Sequence, residues 1–162
     1  MRTLLTALTA LMLFATPVVA GDFEDGVAAY NAGDYEKAFR LWKPLAEQGD
    51  AGAQYNLGQM YRRGEGVPED DAKAVYWYRK AAEQGLVEAQ FNLGLRYYQG
   101  EGVLEDYVQA YAWWSIAATQ GREIAKKNKG ILKKQMTREQ IAKGQELAAE
   151  YWKKYVVPFQ KN

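Results

Sequence analysis

The 162-residue sequence predicts an all-α protein, a single-domain solenoid of seven or eight helices without a β-sheet. Three observations support this fold class. Residues 53–85 recur at 89–121 with a period of 36 residues, and 18 of the 33 aligned positions are identical. Apolar residues within each copy follow helical spacing, with neighbours four apart on one face. Thr137 and Gln140 form a capping-box pattern, which predicts a further long helix near the C-terminus.

Residues 1–20 have the composition of a secretory signal peptide. One basic residue, Arg2, precedes a short apolar stretch, and small residues end the segment at Ala20. The apolar stretch is too short for a transmembrane helix, and no later stretch is apolar enough to cross a bilayer. We therefore expect cleavage near Ala20 and a periplasmic or secreted mature protein without an integral membrane segment.

The composition excludes several classes of enzyme. The chain has no Cys and no His, so it offers no disulfide framework, thiolate nucleophile, zinc–thiolate site or histidine base. Its one serine, Ser115, is followed three positions later by Ala118 rather than by Lys. Neither a Ser-His-Asp triad nor an S-x-x-K site can therefore form. Hydrolysis by two carboxylates stays conceivable because Asp and Glu are plentiful, but we expect a non-enzyme without cofactor or metal.

Charge is distributed unevenly along the chain. Residues 21–121 contain nine basic and 16 acidic residues, a net charge of −7. Residues 122–162 contain 11 basic and four acidic residues, a net charge of +7. An exported protein with an acidic first two-thirds is a poor candidate for binding nucleic acid. The basic end is better matched to an anionic envelope surface or to an acidic protein partner.

The repeats divide the part of the chain after the signal peptide into four segments. A shorter first copy occupies residues 21–49, two full copies occupy 50–85 and 86–121, and a decayed copy with a C-terminal helix occupies 122–162. The sequence of each full copy predicts two antiparallel helices, because a glycine-rich segment in its middle separates two stretches of helical periodicity.

In the second copy, the first helix is predicted over residues 51–63. Ala53, Leu57 and Tyr61 share one face of this helix, and we expect that face to pack against the second helix of the same copy. Gly64 supplies the helix C-terminus, because glycine readily adopts the left-handed conformation required there.

The second helix of this copy is predicted to begin after Asp70, whose carboxylate can accept hydrogen bonds from free backbone N–H groups. Trp77 and its counterpart 36 residues later, Trp113, are predicted to fill the core. Asn56 and Asn92 are predicted to fasten a neighbouring turn, because a polar side chain in a packed array needs a hydrogen-bond partner.

The repeated pattern A-x-x-N-L-G-x-x-Y-x-x-G-x-G-V…A…W…A-A-x-Q-G is similar to the Sel-one-like repeat (SLR), a relative of the tetratricopeptide repeat with a longer loop between its helices. Residues 33–38 of the first copy, G-D-Y-E-K-A, are closer to an ordinary tetratricopeptide unit. The resemblance is to exported bacterial SLR proteins. It implies a right-handed α–α superhelix of about three helix-pair repeats plus a C-terminal capping helix. It also implies an adaptor that binds a partner protein or peptide in its concave groove.

Two other functions compete with the adaptor hypothesis. A few cysteine-rich SLR relatives bind or hydrolyse β-lactams, so one alternative is an envelope enzyme that acts on β-lactams or cell-wall glycans. This chain departs from those relatives because it has no Cys. The other alternative is an envelope signalling regulator, which also binds a partner but acts by releasing it.

The C-terminal segment is predicted to close the array. The capping box at Thr137 opens a helix over residues 138–155, and a terminal repeat needs such a cap to cover its apolar face. Five lysines precede this helix: Lys126, Lys127, Lys129, Lys133 and Lys134. They are compatible either with a solvated face of the cap or with an electrostatic docking patch for an anionic partner.

A second face of each first helix, at positions i, i+4 and i+7, is predicted to bind the partner. Setting Gly26 against Gly58 extends the pattern to the first copy, whereas matching Tyr30 to Tyr61 would move the register by one. The predicted partner-binding residues are Phe23, Val27, Tyr30, Tyr55, Gln59, Arg62, Phe91, Leu95 and Tyr98. Stacking of the repeats is predicted to align Phe23, Tyr55 and Phe91 in one row and Tyr30, Arg62 and Tyr98 in another. By resemblance to tetratricopeptide arrays these rows line the concave groove, and aromatic rings with an arginine suit a peptide-binding hot spot. The alternative is that the outer members of each row are covered by the neighbouring repeat and only pack.

Overall fold

The computed structural model describes residues 21–160, and this range contains eight α-helices, one short 3₁₀ helix and no strand. The helices are α1 (Asp22–Asn31), α2 (Tyr35–Glu47), α3 (Ala51–Arg63), α4 (Asp71–Ala82), α5 (Val87–Gln99), α6 (Tyr107–Thr119), α7 (Glu123–Lys133) and α8 (Arg138–Tyr155), followed by a 3₁₀ turn at Val157–Phe159. The predicted all-α solenoid is confirmed. The predicted signal peptide lies outside the described residues. Among the described helices, none combines the length and the apolar character needed to cross a membrane.

Helix ends lie where local side-chain chemistry predicts them. The Asp70 carboxylate accepts a hydrogen bond from the Lys73 backbone N–H at 2.9 Å, and its counterpart Asp106 accepts one from Gln109 at 3.0 Å. Both bonds of the Thr137 capping box are present. The predicted bounds 51–63 and 138–155 coincide with α3 and α8, because these ends depend on caps encoded within a few residues.

The loop between the two helices of a full repeat requires glycine at two positions. Gly64 ends α3 with φ +66°, as predicted. Gly66 has φ +71°, and a Cβ atom there would lie 2.6 Å from the backbone of Tyr35 at the start of α2. Gly102 repeats this arrangement against the backbone of Asp71 at the start of α4. Each loop therefore rests on the first turn of the second helix of the preceding repeat.

Consecutive helices pack against each other as far as α6, and α7 and α8 then both pack against α6. The capping helix α8 is held on α6 by aromatic contacts: the ring of Trp113 lies 4.5 Å from that of Tyr151 and 5.6 Å from that of Tyr155, measured between centroids. Gly144 brings the α8 backbone against the ring of Tyr111. The predicted role of the C-terminal helix as a cap on the last complete repeat follows from these contacts.

The predicted face of α3 packs against the preceding repeat. Ala53 and Leu57 are fully buried in a cluster that α1, α2 and α3 share. The ring of Tyr61 lies 5.8 Å from that of Phe39 in α2. Our prediction that this face is taken by the second helix of its own repeat was therefore incomplete.

The prediction for Trp77 was also wrong in part. Trp77 is half-buried, whereas its neighbour Tyr78 is fully buried. Only Trp113 has the buried position that was expected of both tryptophans, because α8 covers it.

Glutamines, rather than the predicted asparagines, fasten the turns between repeats. The Asn92 side chain donates to the Tyr55 hydroxyl at 3.4 Å, so it contacts an aromatic ring and not a turn. The buried amide of Gln54 instead donates to the Ala46 carbonyl at the end of α2, at 3.0 Å. Its oxygen accepts from the Gln84 side chain just after α4, at 2.8 Å. The same two bonds recur 36 residues later around Gln90.

Candidate functional site

A glycine of each first helix lies against an aromatic ring of the second helix. The pairs are Gly26 with Trp42, Gly58 with Tyr78, and Gly94 with Trp114. A Cβ atom at Gly58 or Gly94 would come within 2.6 Å of the ring. An aromatic ring can approach a helix backbone this closely only at a residue without a Cβ atom, which is glycine. These pairs place Gly26 in the position of Gly58, which is the register on which the predicted rows depend.

Hydrogen bonds and ring contacts support the same alignment of the first copy with the later copies. The indole N–H of Trp42 donates to the Phe23 carbonyl and that of Trp114 donates to the Phe91 carbonyl, both at 3.1 Å. The same two tryptophans also contact equivalent tyrosine rings: the ring of Tyr30 lies 5.7 Å from that of Trp42, and the ring of Tyr98 lies 5.6 Å from that of Trp114, measured between centroids. Phe23 therefore corresponds to Phe91, and Tyr30 corresponds to Tyr98.

A cleft of about 240 Å³ opens between α1 and α3. It brings together four of the nine predicted binding residues with three that were not predicted. Its lining consists of Val27, Tyr30, Trp42, Tyr55, Asn56, Gln59 and Arg63. Residues of the first and second copies thus form one cavity, with aromatic rings and side-chain amides on its walls.

A polar network holds one rim of the cleft. The Tyr30 hydroxyl donates to the Glu65 carboxylate at 2.6 Å and accepts from the Arg63 guanidinium at 2.9 Å. Arg63 and Glu65 also approach each other to 3.8 Å. Burial, together with the hydrogen bond to the Glu65 carboxylate, raises the pKa of Tyr30. The hydroxyl therefore stays protonated at neutral pH and keeps both neighbours in place.

The opposite wall of the cleft is also fixed. The fully buried Tyr78 donates its hydroxyl to the Gln59 side-chain oxygen, and burial raises the pKa of Tyr78 to about 12. The Gln59 amide N–H then points at the Tyr55 hydroxyl, 3.3 Å away. The Asn92 side chain of the following repeat donates to the same hydroxyl. Tyr55 and Gln59 are thus held in place before any partner arrives.

The other five predicted residues lie outside this cleft. Three of them pack against the following repeat or segment: the ring of Phe23 lies against Gly52, the Arg122 guanidinium lies 5.5 Å above the ring of Phe91, and the Tyr98 hydroxyl accepts from Gln135 at 3.4 Å. These contacts support the packing alternative for the ring of Phe91. Half-buried Leu95 and Arg62 complete the set, and Arg62 interacts with the Tyr78 hydroxyl.

Sequence reasoning missed Trp42, Asn56 and Arg63. Trp42 carries a signal that could have identified it, because an aromatic residue recurs every 36 positions at Trp42, Tyr78 and Trp114. Comparing identical residues alone conceals this pattern. Arg63 gives no comparable signal, since its role depends on the positions of Tyr30 and Glu65 in space.

The profile of the Sel1 repeat family matches residues 24–50, 51–86 and 87–121. A protective antigen present in uropathogenic Escherichia coli strains and displaying an SLR fold superposes with a TM-score of 0.81 at 36% identity, over 85% of this chain and 30% of that protein. A Sel1 repeat protein from Oxalobacter formigenes gives a TM-score of 0.66 at 34% identity, over 80% of this chain and 55% of that protein.

Among curated proteins, the chain is similar to an exopolysaccharide production negative regulator of Rhizobium leguminosarum bv. viciae. The two are 38% identical over 56 residues, which is 35% of this chain and 21% of the regulator. The chain therefore spans about a fifth of the length of this relative.

Proposed function

The chain belongs to the Sel1 repeat family, whose members generally mediate protein–protein interactions, and we propose that it is an adaptor that binds a partner protein or peptide at the cleft between α1 and α3. The observation that carries this proposal is the convergence of Val27, Tyr30, Tyr55 and Gln59, all predicted to bind a partner, in one cavity. Repeat arrays generally bind along the surface that their stacked helices form.

The cleft has room for one large side chain of a partner. Small-molecule sites usually have volumes of roughly 300–1,000 Å³, and this cleft has about 240 Å³. Trp42 and Tyr55 supply apolar area for an aromatic or aliphatic anchor, since rigid aromatic rings bury area at low entropic cost. Asn56, which also lines the cleft, carries an amide group that can bond to the backbone of the bound segment.

An enzyme is the weaker hypothesis, because the Sel1 repeat fold is typically non-catalytic. The polar groups of the cleft, Tyr30, Arg63 and Glu65, bond to one another. We also propose that the protein acts in the cell envelope, a location that rests on the signal-peptide pattern of residues 1–20. The name of the rhizobial relative favours a regulatory adaptor over a passive scaffold.

Site-specific crosslinking in the native host tests the proposal. A photo-crosslinking residue replaces Val27, whose side chain lines the cleft and is 37% exposed. A matched control carries the same residue at Leu104, which is 88% exposed and outside the cleft. We expect a discrete protein adduct from position 27 alone, and we expect Asn56→Ala to weaken it without lowering the melting temperature. Equal labelling from both positions would refute the proposed site.

A further inference from the structure

Helix α7 is the first helix of a fourth, incomplete repeat. Its Ala125 and Gly130 lie 36 residues beyond Ala89 and Gly94. Ala125 is fully buried, as Ala89 is, and α7 packs against α6 as α5 packs against α4. The array therefore continues one helix beyond its last complete pair.

The helix that follows α7 does not complete the pair. Instead, α8 crosses to α6, where Gly144 lies against Tyr111. The three complete repeats each place an aromatic ring on the glycine of the first helix. At Gly130, in contrast, a Cβ atom would meet nothing within 4 Å among the described residues. One side of α7 is thus left uncovered.

The predicted binding rows extend onto α7 with the same spacing. Their next members, 36 residues beyond the third copy, are Lys127 and Ile131 in α7 and Lys134 directly after it. The hydrogen bond from Gln135 to the Tyr98 hydroxyl holds the end of α7 beside the third copy. Ile131 is 48% exposed, so an apolar side chain is accessible between the two lysines.

The charge of this extension differs from that of the rest of the array. Lys127 and Lys134 are exposed, and neither forms an ion pair within residues 21–160. The one acidic residue of α7, Glu123, approaches Lys126 at 3.8 Å. Residues 21–121 have a net charge of −7, so the cationic end stands out against an acidic body. Such a patch attracts a carboxylate-bearing segment, and its continuity with the predicted rows favours a partner segment over the surface of an anionic bilayer.

We infer that the partner-binding surface set by the predicted rows continues onto α7 and that the partner segment carries acidic residues that meet Lys127 and Lys134, with an apolar contact on Ile131. This inference rests on the proposed function and specifies the polarity of the partner. The segment is apolar or aromatic where it enters the cleft at α1 and α3, and it is acidic where it reaches α7. The lysines are then a docking patch rather than only a solvated face.

Selection from a library of random linear peptides tests the inference with the full chain as bait. Three proteins are compared: the native chain, Lys127→Gln/Lys134→Gln, and the control Lys126→Gln/Lys133→Gln, which removes the same charge from positions about 100° round the helix from the rows. We expect the native and control proteins to enrich peptides rich in Asp and Glu, and the row variant to lose this bias. For one enriched peptide measured by fluorescence anisotropy at low salt, the row variant should bind roughly tenfold more weakly, as expected for the loss of two exposed ion pairs.

The outcomes separate the inference from the proposed function. If the native chain enriches no peptide, the proposed peptide-binding function fails. If enriched peptides lack acidic residues, or if both variants lose the bias equally, the inference fails and peptide binding stands. Sedimentation with vesicles of phosphatidylglycerol and phosphatidylcholine adds one outcome. Lysine-dependent vesicle binding without an acidic peptide bias would assign the patch to a bilayer and overturn the inference.

Discussion

The same substitution at two equivalent glycines should change stability in opposite directions. Gly94 and Gly130 are 36 residues apart, and both lie inside a first helix. Replacing glycine by alanine within a helix gains about 1 kcal/mol from backbone entropy alone. The environment of each glycine then decides the sign of the net change.

At Gly94 the added methyl group would lie 2.6 Å from the ring of Trp114, which is 2% exposed. Overpacking of this kind costs about 1–3 kcal/mol. Displacing the ring would also break the hydrogen bond from Trp114 to the Phe91 carbonyl, worth about 1 kcal/mol. These terms exceed the entropic gain, so Gly94→Ala should destabilise the protein by about 1–3 kcal/mol. At Gly130 no atom beyond the neighbouring residues and backbone of α7 lies within 4 Å of the new methyl group, so Gly130→Ala should stabilise the protein by up to about 1 kcal/mol.

Urea unfolding followed by far-ultraviolet circular dichroism measures both variants against the native chain. The slope of the unfolding free energy with urea should be unchanged, because neither substitution alters the surface exposed on unfolding. The reasoning is refuted if both variants shift stability in the same direction. A destabilising Gly130→Ala in particular would mean that another helix covers α7.

Three further outcomes follow from the structure. Gln54→Leu removes the bond to the Ala46 carbonyl, which keeps a bond from the Gly49 backbone, so urea unfolding should register a loss of about 1 kcal/mol. Gly102→Ala should cost more than Gly100→Ala in the same assay. Both have left-handed φ values, +71° and +66°, but only at Gly102 would a Cβ overlap the backbone of another helix. For Tyr78, whose pKa rises from 10.0 to about 12 on folding, the folded state binds its proton more tightly. The stabilisation that this tighter proton binding gives is complete below pH 10 and is lost as the pH rises to about 12. Across this pH range the free energy of unfolding should therefore fall less steeply for Tyr78→Phe than for the native chain.

Helix bounds were predictable because they depend on short-range chemistry. Asp70 and Thr137 cap their helices with bonds to residues three positions away. The buried aromatic of the second helix was harder to identify. Trp77 recurs identically 36 residues later, whereas the buried position varies between tryptophan and tyrosine, as at Tyr78. Adjacent helical residues point about 100° apart, so in the second copy the identical residue is the half-buried Trp77 and not the buried Tyr78.

The register of the candidate site was predictable, but the position of its cavity was not. Gly26 and Gly58 fix the register, because each must lie under a ring. The cleft lies between the first and second copies, where the Tyr30 hydroxyl joins Arg63 and Glu65 of a different repeat. Contacts between residues more than 30 positions apart leave no periodic signal when they occur only once. The repeat pattern therefore predicts which residues share a face, but it does not predict where a cavity lies between two repeats.

The glutamine bonds between repeats have a consequence for how such a chain can change its length. Gln54 bonds backward to the end of the preceding repeat and forward to Gln84 of its own repeat, and Gln90 does the same. Every partner in this joint lies within one 36-residue unit or at the same position of its neighbour. Duplicating residues 50–85 in tandem would therefore reproduce all the bonds of the joint without a compensating substitution. Whole 36-residue repeats can therefore be inserted, and each insertion lengthens the distance between the α1–α3 cleft and Lys127 by one repeat.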